Sequence, residues 1–172
     1  VTGTNGKTST IHFLRQILNF SESSCASTGT LGRFINNKFY GGQRLTTETP
    51  IFIRNFLREC EKNSVQNILF EASSIGIDEK RLSGLSIDHA ALSNISRDHL
   101  NYHGNIENYV DAKLKLVKSC KQTFTYVKQD QLSERIKNSF KGNALYSISI
   151  DDPKSDISIK VKKIFKDGII EF

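Results

Sequence analysis

Apolar residues Ile11, Leu14, Ile17 and Leu18 recur at helical spacing and predict an amphipathic helix over residues 7–20. That helix starts inside a stretch dense in Gly, Thr and Lys, "TGTNGKTST". The segment "GTLGRFINNKFYGGQRLTTETP" then loses all periodicity and predicts a long loop or irregular hairpin. Ile53, Phe56, Leu57 and Cys60 restore helical spacing. "NILFEA" is a continuous apolar run closed by an acid, the pattern of a strand buried on both faces, and "DHAALSNI" repeats it. A helix over residues 106–118 places Tyr109, Val110, Leu114 and Val117 on one side. "TFTYV" (strand), Leu132/Ile136/Phe140 (helix) and "ALYSI" (strand) continue the alternation. "DISIKVKKIFKDGIIEF" instead alternates by two around Lys166-Asp167-Gly168, a hairpin signal.

Strands alternating with helices imply an α/β fold, a mainly parallel sheet covered by helices on both faces. The terminal hairpin is expected as a small antiparallel appendix. "DDPK" (Asp151 to Lys154) reads as a turn between strands.

Composition narrows the class. Of 172 residues, 37% are hydrophobic, enough for a core, and no apolar run approaches the ~20 residues that cross a bilayer. Membrane insertion is therefore not expected. Cys25, Cys60 and Cys120 are odd in number and widely spaced, which argues against a disulfide framework or a zinc site and for a reducing cytosol. The net charge of +6 comes largely from lysines after Lys113. They are scattered and not gathered with aromatics, so no nucleic-acid partner is expected.

"TGTNGKTST" has the chemistry of a phosphate loop. Gly3 and Gly6 permit close backbone approach, Lys7 supplies a point charge, and Thr8 offers a hydroxyl to Mg²⁺. The first glycine of G-x-x-x-x-G-K-S/T falls at Val1, so the textual match is incomplete. The bland alternative is a glycine-rich turn. The start at Val1 and the lack of Met suggest a piece cut within the strand that feeds this loop.

Further motifs carry a resemblance. "VTGTNGKTST", Thr46-Thr47 with Pro50, "EASS" (Glu71 to Ser74) with Arg81, "NISRDHLNYHG" (Asn94 to Gly104) and "YVDAK" (Tyr109 to Lys113) occur in an order resembling the Mur ligase superfamily. Within it they are most similar to the branch that adds the third amino acid to the UDP-muramoyl dipeptide. The resemblance implies that residues 1–172 are an incomplete central ATP-binding domain, without its N-terminal UDP-binding and C-terminal domains. It also implies a bacterial cytoplasmic ligase, monomeric at full length, that uses ATP and two Mg²⁺ ions.

It assigns Gly3, Thr4, Asn5, Gly6, Lys7, Thr8 and Ser9 to the nucleotide. It assigns Thr8, Glu71, His99 and a carbamylated Lys113 to metal, with Lys7, His99 and Lys113 carrying catalysis. Thr46, Thr47, Ser73 and Arg81 are assigned to the UDP-muramoyl peptide, and Asp98 to orienting its neighbours. Read as bare residues, Glu71 ends a buried strand at the sheet edge and favours Mg²⁺ over its alternative, a capping acid. Lys113 reads as a solvated lysine, while Arg81 has a surface ion pair and the threonines loop caps as their alternatives. Tyr102 and His103 leave packing of the turn and ligand contact both open. Two positions depart from the family: Ile75 stands where His is usual, and Asn101 where Asp is commoner.

The implied chemistry is ATP-driven amide formation through an acyl phosphate. Other Mur-type ligases, such as folylpolyglutamate synthases, and a non-catalytic P-loop module are the competing readings. Against a GTPase-like switch, "NKFY" lacks the Asp that should follow Asn-Lys.

Overall fold

A computed structural model describes residues 1–42, 44–128, 130–150, 152–160, 163–164 and 170–171. The loop helix α1 (Lys7–Phe20) begins where the periodicity places it. Then come β1 (Cys25–Gly29), β2 (Gly32–Ile35), β3 (Lys38–Gly41), α2 (Pro50–Lys62), β4 (Asn67–Phe70) and the short α3 (Ser74–Asp78). The second half runs β5 (Ile87–Leu92), α4 (Leu100–His103), α5 (Ile106–Ser119), β6 (Cys120–Val127), α6 (Asp130–Ser139), β7 (Ala144–Ile150) and β8 (Ile157–Ile159). Strands β9 (Lys163–Ile164) and β10 (Ile170–Glu171) pair antiparallel, as the terminal alternation predicts. Lys166-Asp167-Gly168 and Asp151 lie outside the described residues. Pro153 and Lys154 form the expected turn between β7 and β8.

The strands form a mixed sheet, β3-β2-β1-β4, and a wholly parallel sheet, β5-β6-β7-β8. In the mixed sheet β1 runs parallel to β4 and antiparallel to β2. The Gly- and Asn-rich segment takes the irregular-hairpin alternative of its sequence reading, with a register shift between Arg33 and Phe34, because Asn36 and Asn37 both take positive φ, the conformation of a tight type I′ turn. The short helices α3 and α4 are not predicted by the periodicity. Strand β1 has no predicted counterpart. Its Cys-Ala-Ser-Thr-Gly sequence lacks the branched and aromatic residues that signal a strand, yet every position is buried.

Side-chain alternation explains why small residues suit β1. Ala26 and Ile35 face the α2 residues Phe56 and Cys60, while Phe34 on the opposite face lies under the Arg15 guanidinium of α1, 4.0 Å from its ring centroid. Two helices thus press on β1. In the parallel sheet, Phe124, Tyr126 and Leu92 pack with Val110, Leu114 and Val117 of α5 and Leu132 and Ile136 of α6. The opposite face leaves Val127, Tyr146, Ile150 and Ile157 exposed among the described residues, so helical cover on both faces is realised only in the mixed sheet.

Val1 and Thr2 join the two sheets. Val1 donates from its amino group to the Phe70 carbonyl and accepts from the Ala72 N–H, each at 2.8 Å. Thr2 donates to the Ala91 carbonyl at 2.8 Å and accepts from the Ser93 N–H at 3.0 Å. The facing edges of β4 and β5 border a groove of about 410 Å³, lined in part by Ile68, Phe70, Leu82, Ile87 and Ala90. None of residues 3–8 lines it. Beyond Thr2, Phe70 and Leu92 the chain leaves three neighbouring parallel strands at their C-terminal ends, where open α/β sheets bind ligands.

Candidate nucleotide site

The phosphate loop is built on backbone that only glycine tolerates. Gly3 has φ +150°, and a Cβ there would lie 2.0 Å from the Ser93 hydroxyl; Gly6, at φ +84°, turns the chain into α1. No side chain caps α1, so the N–H groups of its first turn face the loop with the positive end of the helix. Replacing Gly3 with Ala is expected to destabilise the chain by roughly 2–3 kcal/mol through clash and strain, read as a lower urea midpoint at unchanged slope.

Residues distant in sequence hold the loop. Asn94 accepts from the Asn5 N–H at 3.0 Å and donates to the Asn5 carbonyl at 3.1 Å, while the Ser93 hydroxyl donates to that carbonyl at 2.5 Å. The Thr4 hydroxyl meets the Tyr109 hydroxyl at 2.9 Å and accepts from the Ser96 N–H at 2.9 Å. Thr4 and Asn5, assigned to the nucleotide by resemblance, thus spend these groups within the protein. Lys7 folds back, donating to the Gly3 and Thr4 carbonyls at 2.9 Å each. Ser9 is exposed on α1.

Glu71 stands opposite the loop. Its carboxylate is buried, accepting from the Thr8 hydroxyl at 2.9 Å and from the Thr30 N–H and hydroxyl at 2.9 and 3.1 Å. A Cβ on Gly29 would fall 2.2 Å from that carboxylate, so glycine is required beside it. Thr30 has no sequence signal of its own. It also meets Thr46 at 3.4 Å, which ties the acid to the Thr46-Thr47 segment.

Lys113 is not the solvated lysine that its bare sequence suggests. It is 2% exposed, its Nζ donates to the Gly3 carbonyl at 2.9 Å, and it lies 4.7 Å from the Tyr109 ring centroid. Lys7 and Lys113 therefore share one carbonyl. Burial first, and the Lys7 charge second, push the Lys113 pKa from 10.5 down to about 7, with Asp98 opposing. Burial also lowers Lys7, against the attraction of Glu71 and Asp98. Lys115, two residues beyond Lys113, is exposed and pairs with Asp78.

His99 is exposed and holds φ +51°, a costly conformation for a residue with a Cβ. The Asp98 carboxylate accepts its backbone N–H at 2.9 Å and sits 3.5 Å from its Nε2. Among the described residues, no three His, Cys, Asp or Glu side chains converge on one point. Glu71 and His99 therefore do not form one such cluster. Each would need hydroxyl, phosphate or carbamate oxygens to complete a metal shell. Hard oxygen donors of this kind suit Mg²⁺.

Thr47, Ser73 and Arg81 are brought together. The Thr47 hydroxyl donates to the Glu71 carbonyl at 2.8 Å and accepts from the Ser73 N–H at 2.9 Å. Arg81 donates to the Thr47 carbonyl at 2.6 Å and pairs with Glu79, so it also makes the surface ion pair of its bland reading. Cys25, Cys60 and Cys120 are buried free thiols; burial raises all three pKa values, Cys25 to about 11 and Cys60 to about 12. No helix among the described residues is long and apolar enough to cross a membrane.

A glycine loop opening a helix at the end of a sheet strand, opposite a hydroxyl–carboxylate pair, defines a P-loop nucleotide-binding domain. The Mur ligase middle domain profile matches residues 1–169, and the chain belongs to that family. It is 40% identical over 121 residues to the UDP-N-acetylmuramoyl-L-alanyl-D-glutamate–2,6-diaminopimelate ligase of Rickettsia bellii (strain RML369-C), covering 67% of this chain and 25% of that protein. It is 36% identical over 119 residues to UDP-N-acetylmuramyl-tripeptide synthetase 2 of Oceanobacillus iheyensis (strain HTE831), covering 69% and 24%. A solved structure of a UDP-N-acetylmuramoyl-L-alanyl-D-glutamate–2,6-diaminopimelate ligase superposes with a TM-score of 0.80 at 30% identity, over 95% of this chain and 34% of the other. The chain spans about a quarter of the length of these curated relatives.

Proposed function

We propose that this chain is the ATP-binding middle domain of a ligase that extends UDP-N-acetylmuramoyl-L-alanyl-D-glutamate by one amino acid. The observation that carries the reading is the Thr8–Glu71 pair, 2.9 Å apart, beside a lysine-bearing phosphate loop. The names of the relatives supply the substrates, with diaminopimelate as the first amino acid to test. In this reading the enzyme acts as a monomer in the bacterial cytoplasm, without nucleic acid.

The N–H groups of the α1 first turn and Lys7 bind the outer phosphates of ATP and hold the γ-phosphorus in line with the substrate carboxylate. That carboxylate oxygen forms a bond to the γ-phosphorus as the bond to ADP breaks. The amine of the amino acid then attacks the acyl carbon, loses a proton and expels phosphate. Thr8 and Glu71 would hold one Mg²⁺, and His99 with a carbamylated Lys113 a second. When bound, these ions neutralise charge on the attacking and departing oxygens.

Lys113 fits the modification. A lysine held near pKa 7 offers an unprotonated amine, whose nitrogen adds to carbon dioxide with release of one proton, leaving an anion. That anion would replace the repulsion between Lys113 and Lys7 by attraction. Thr46, Thr47, Ser73 and Arg81 would face the acyl substrate, with Thr47 and Arg81 shaping the segment through the bonds they make to each other.

Phosphate release measured in the ligase with its flanking domains tests the function. Release is expected only when the UDP-muramoyl dipeptide and the amino acid are both present. Binding of GTP with no response to either substrate would identify a nucleotide switch instead.

A further inference from the structure

The motif "NYHG" follows the Asp98–His99 loop, and no step above uses it. Its two aromatic residues are adjacent on α4 and reach the two ends of one neighbouring helix, α3. His103 is 8% exposed, and its Nε2 lies 3.0 Å from the hydroxyl of Ser74, the first residue of α3, itself 1% exposed. Tyr102 donates its hydroxyl to the carboxylate of Asp78, the last residue of α3, at 3.3 Å. Lys115 of α5 pairs with the same carboxylate.

The clamp is itself braced. The Tyr102 and Tyr109 rings meet the His103 ring edge-on at centroid distances of 4.7 and 5.4 Å. The Asn108 amide holds the His103 carbonyl at 2.9 Å. Tyr109 continues to Thr4 of the phosphate loop and lies beneath Lys113. Burial lowers the His103 pKa and favours a neutral imidazole. An enclosed ring between two aromatics suits packing, not contact with a ligand.

A five-residue helix has too few internal hydrogen bonds to stand alone and takes its place from what touches it. The N-cap of α3 is Ser73, whose neighbours Thr47 and Arg81 form the candidate acyl-substrate segment. We infer that Tyr102 and His103 are positioning residues that fix α3 to the Asp98–His99 loop, so that the acyl-substrate segment and the second metal-site candidate keep one register. This rests on the ligase reading for its kinetic consequence, though not for the contact itself.

The test compares His103→Ala, His103→Gln and Tyr102→Phe with wild type in the ligase carrying its flanking domains. Amide exchange at Ile77, Glu79 and Arg81, all bonded within or just after α3, is read against the amides of β6. The Michaelis constants for the UDP-muramoyl dipeptide and for ATP are measured on the same proteins. His103→Ala is expected to speed exchange at the three amides about tenfold, leaving β6 within about twofold. The dipeptide constant should rise about fivefold or more, with the ATP constant and kcat within about twofold.

His103→Gln, whose amide reaches Ser74, should restore both readouts to within about threefold. Tyr102→Phe should shift them the same way by less. Unchanged exchange at α3, a uniform rise across the protein, equal changes in both constants, or no rescue by Gln would each overturn the inference. Should His103→Ala fail to fold by circular dichroism, the Gln and Phe variants decide. Wild type that exchanges as expected but turns over no dipeptide refutes the ligase reading, leaving the clamp judged by exchange alone.

Discussion

Replacing Lys7 with alanine is expected to lower ATP turnover in the ligase by about 10²-fold or more, the scale on which one preorganised charge contact to a reacting group is lost. The same change should weaken binding of MgATP to this chain, measured by titration calorimetry. The reason lies in the resting geometry. Lys7 now satisfies the carbonyls of Gly3 and Thr4, so its ammonium sits at the loop mouth, half removed from water, and is ready to exchange two carbonyls for phosphate oxygens. Full turnover by the alanine variant would remove the phosphate loop from the mechanism.

Replacing Lys113 with methionine is expected to act in opposite directions on stability and activity. The folded chain disfavours an ammonium at this position, so methionine, of similar length and apolar, should raise Tm at neutral pH by roughly 3–10 °C. Ligase turnover should fall at least about 10²-fold, because no carbamate can form. A pH series separates this from simple repacking. The folded chain binds the Lys113 proton with pKa about 7 and the unfolded chain near 10.5, so the unfolded state holds more protons in between. Wild-type stability should therefore rise with pH across that window and carry its full penalty below it, and the methionine variant should lose that rise. A variant with unchanged Tm and an unchanged pH slope would mean that Lys113 is solvated. One with full activity would sink the second metal site.

Some of the site was legible as text because its parts are local. Gly3, Gly6, Lys7 and Thr8 act within one turn of chain, so their spacing alone encodes a loop feeding a helix. Glu71 and His99 each follow an apolar run, and a run that ends in a polar residue places that residue at a sheet edge. Thr30 was not legible at all, and Asn94 and Tyr109, though each opens a motif, gave no sign of their contacts with the phosphate loop. Thr30 reaches Glu71 across 41 residues and Asn94 reaches Asn5 across 89, and nothing local encodes either contact. Lys113 shows the limit most clearly. Its position on an amphipathic helix is readable, yet its chemistry comes from burial beneath Gly3 and from the Lys7 charge.

The hydrophobic periodicity by itself determined the long helices α1, α2, α5 and α6, the apolar strands β4 to β7 and the order in which they alternate, since these depend on residues within a turn or two. The glycine-lysine spacing encoded a loop with the chemistry of a phosphate cradle, the expectation on which the proposed function rests. Tertiary structure alone decided that small-residue β1 is a strand, since two helices pressing on one strand leave no room for larger side chains. It also decided that Lys7 and Lys113 share the Gly3 carbonyl, and that Thr30 holds Glu71. Burial, like-charge repulsion and convergence of donors are sums over neighbours in space, and the chain acquires those neighbours only when β4, Val1–Thr2 and β5 come side by side.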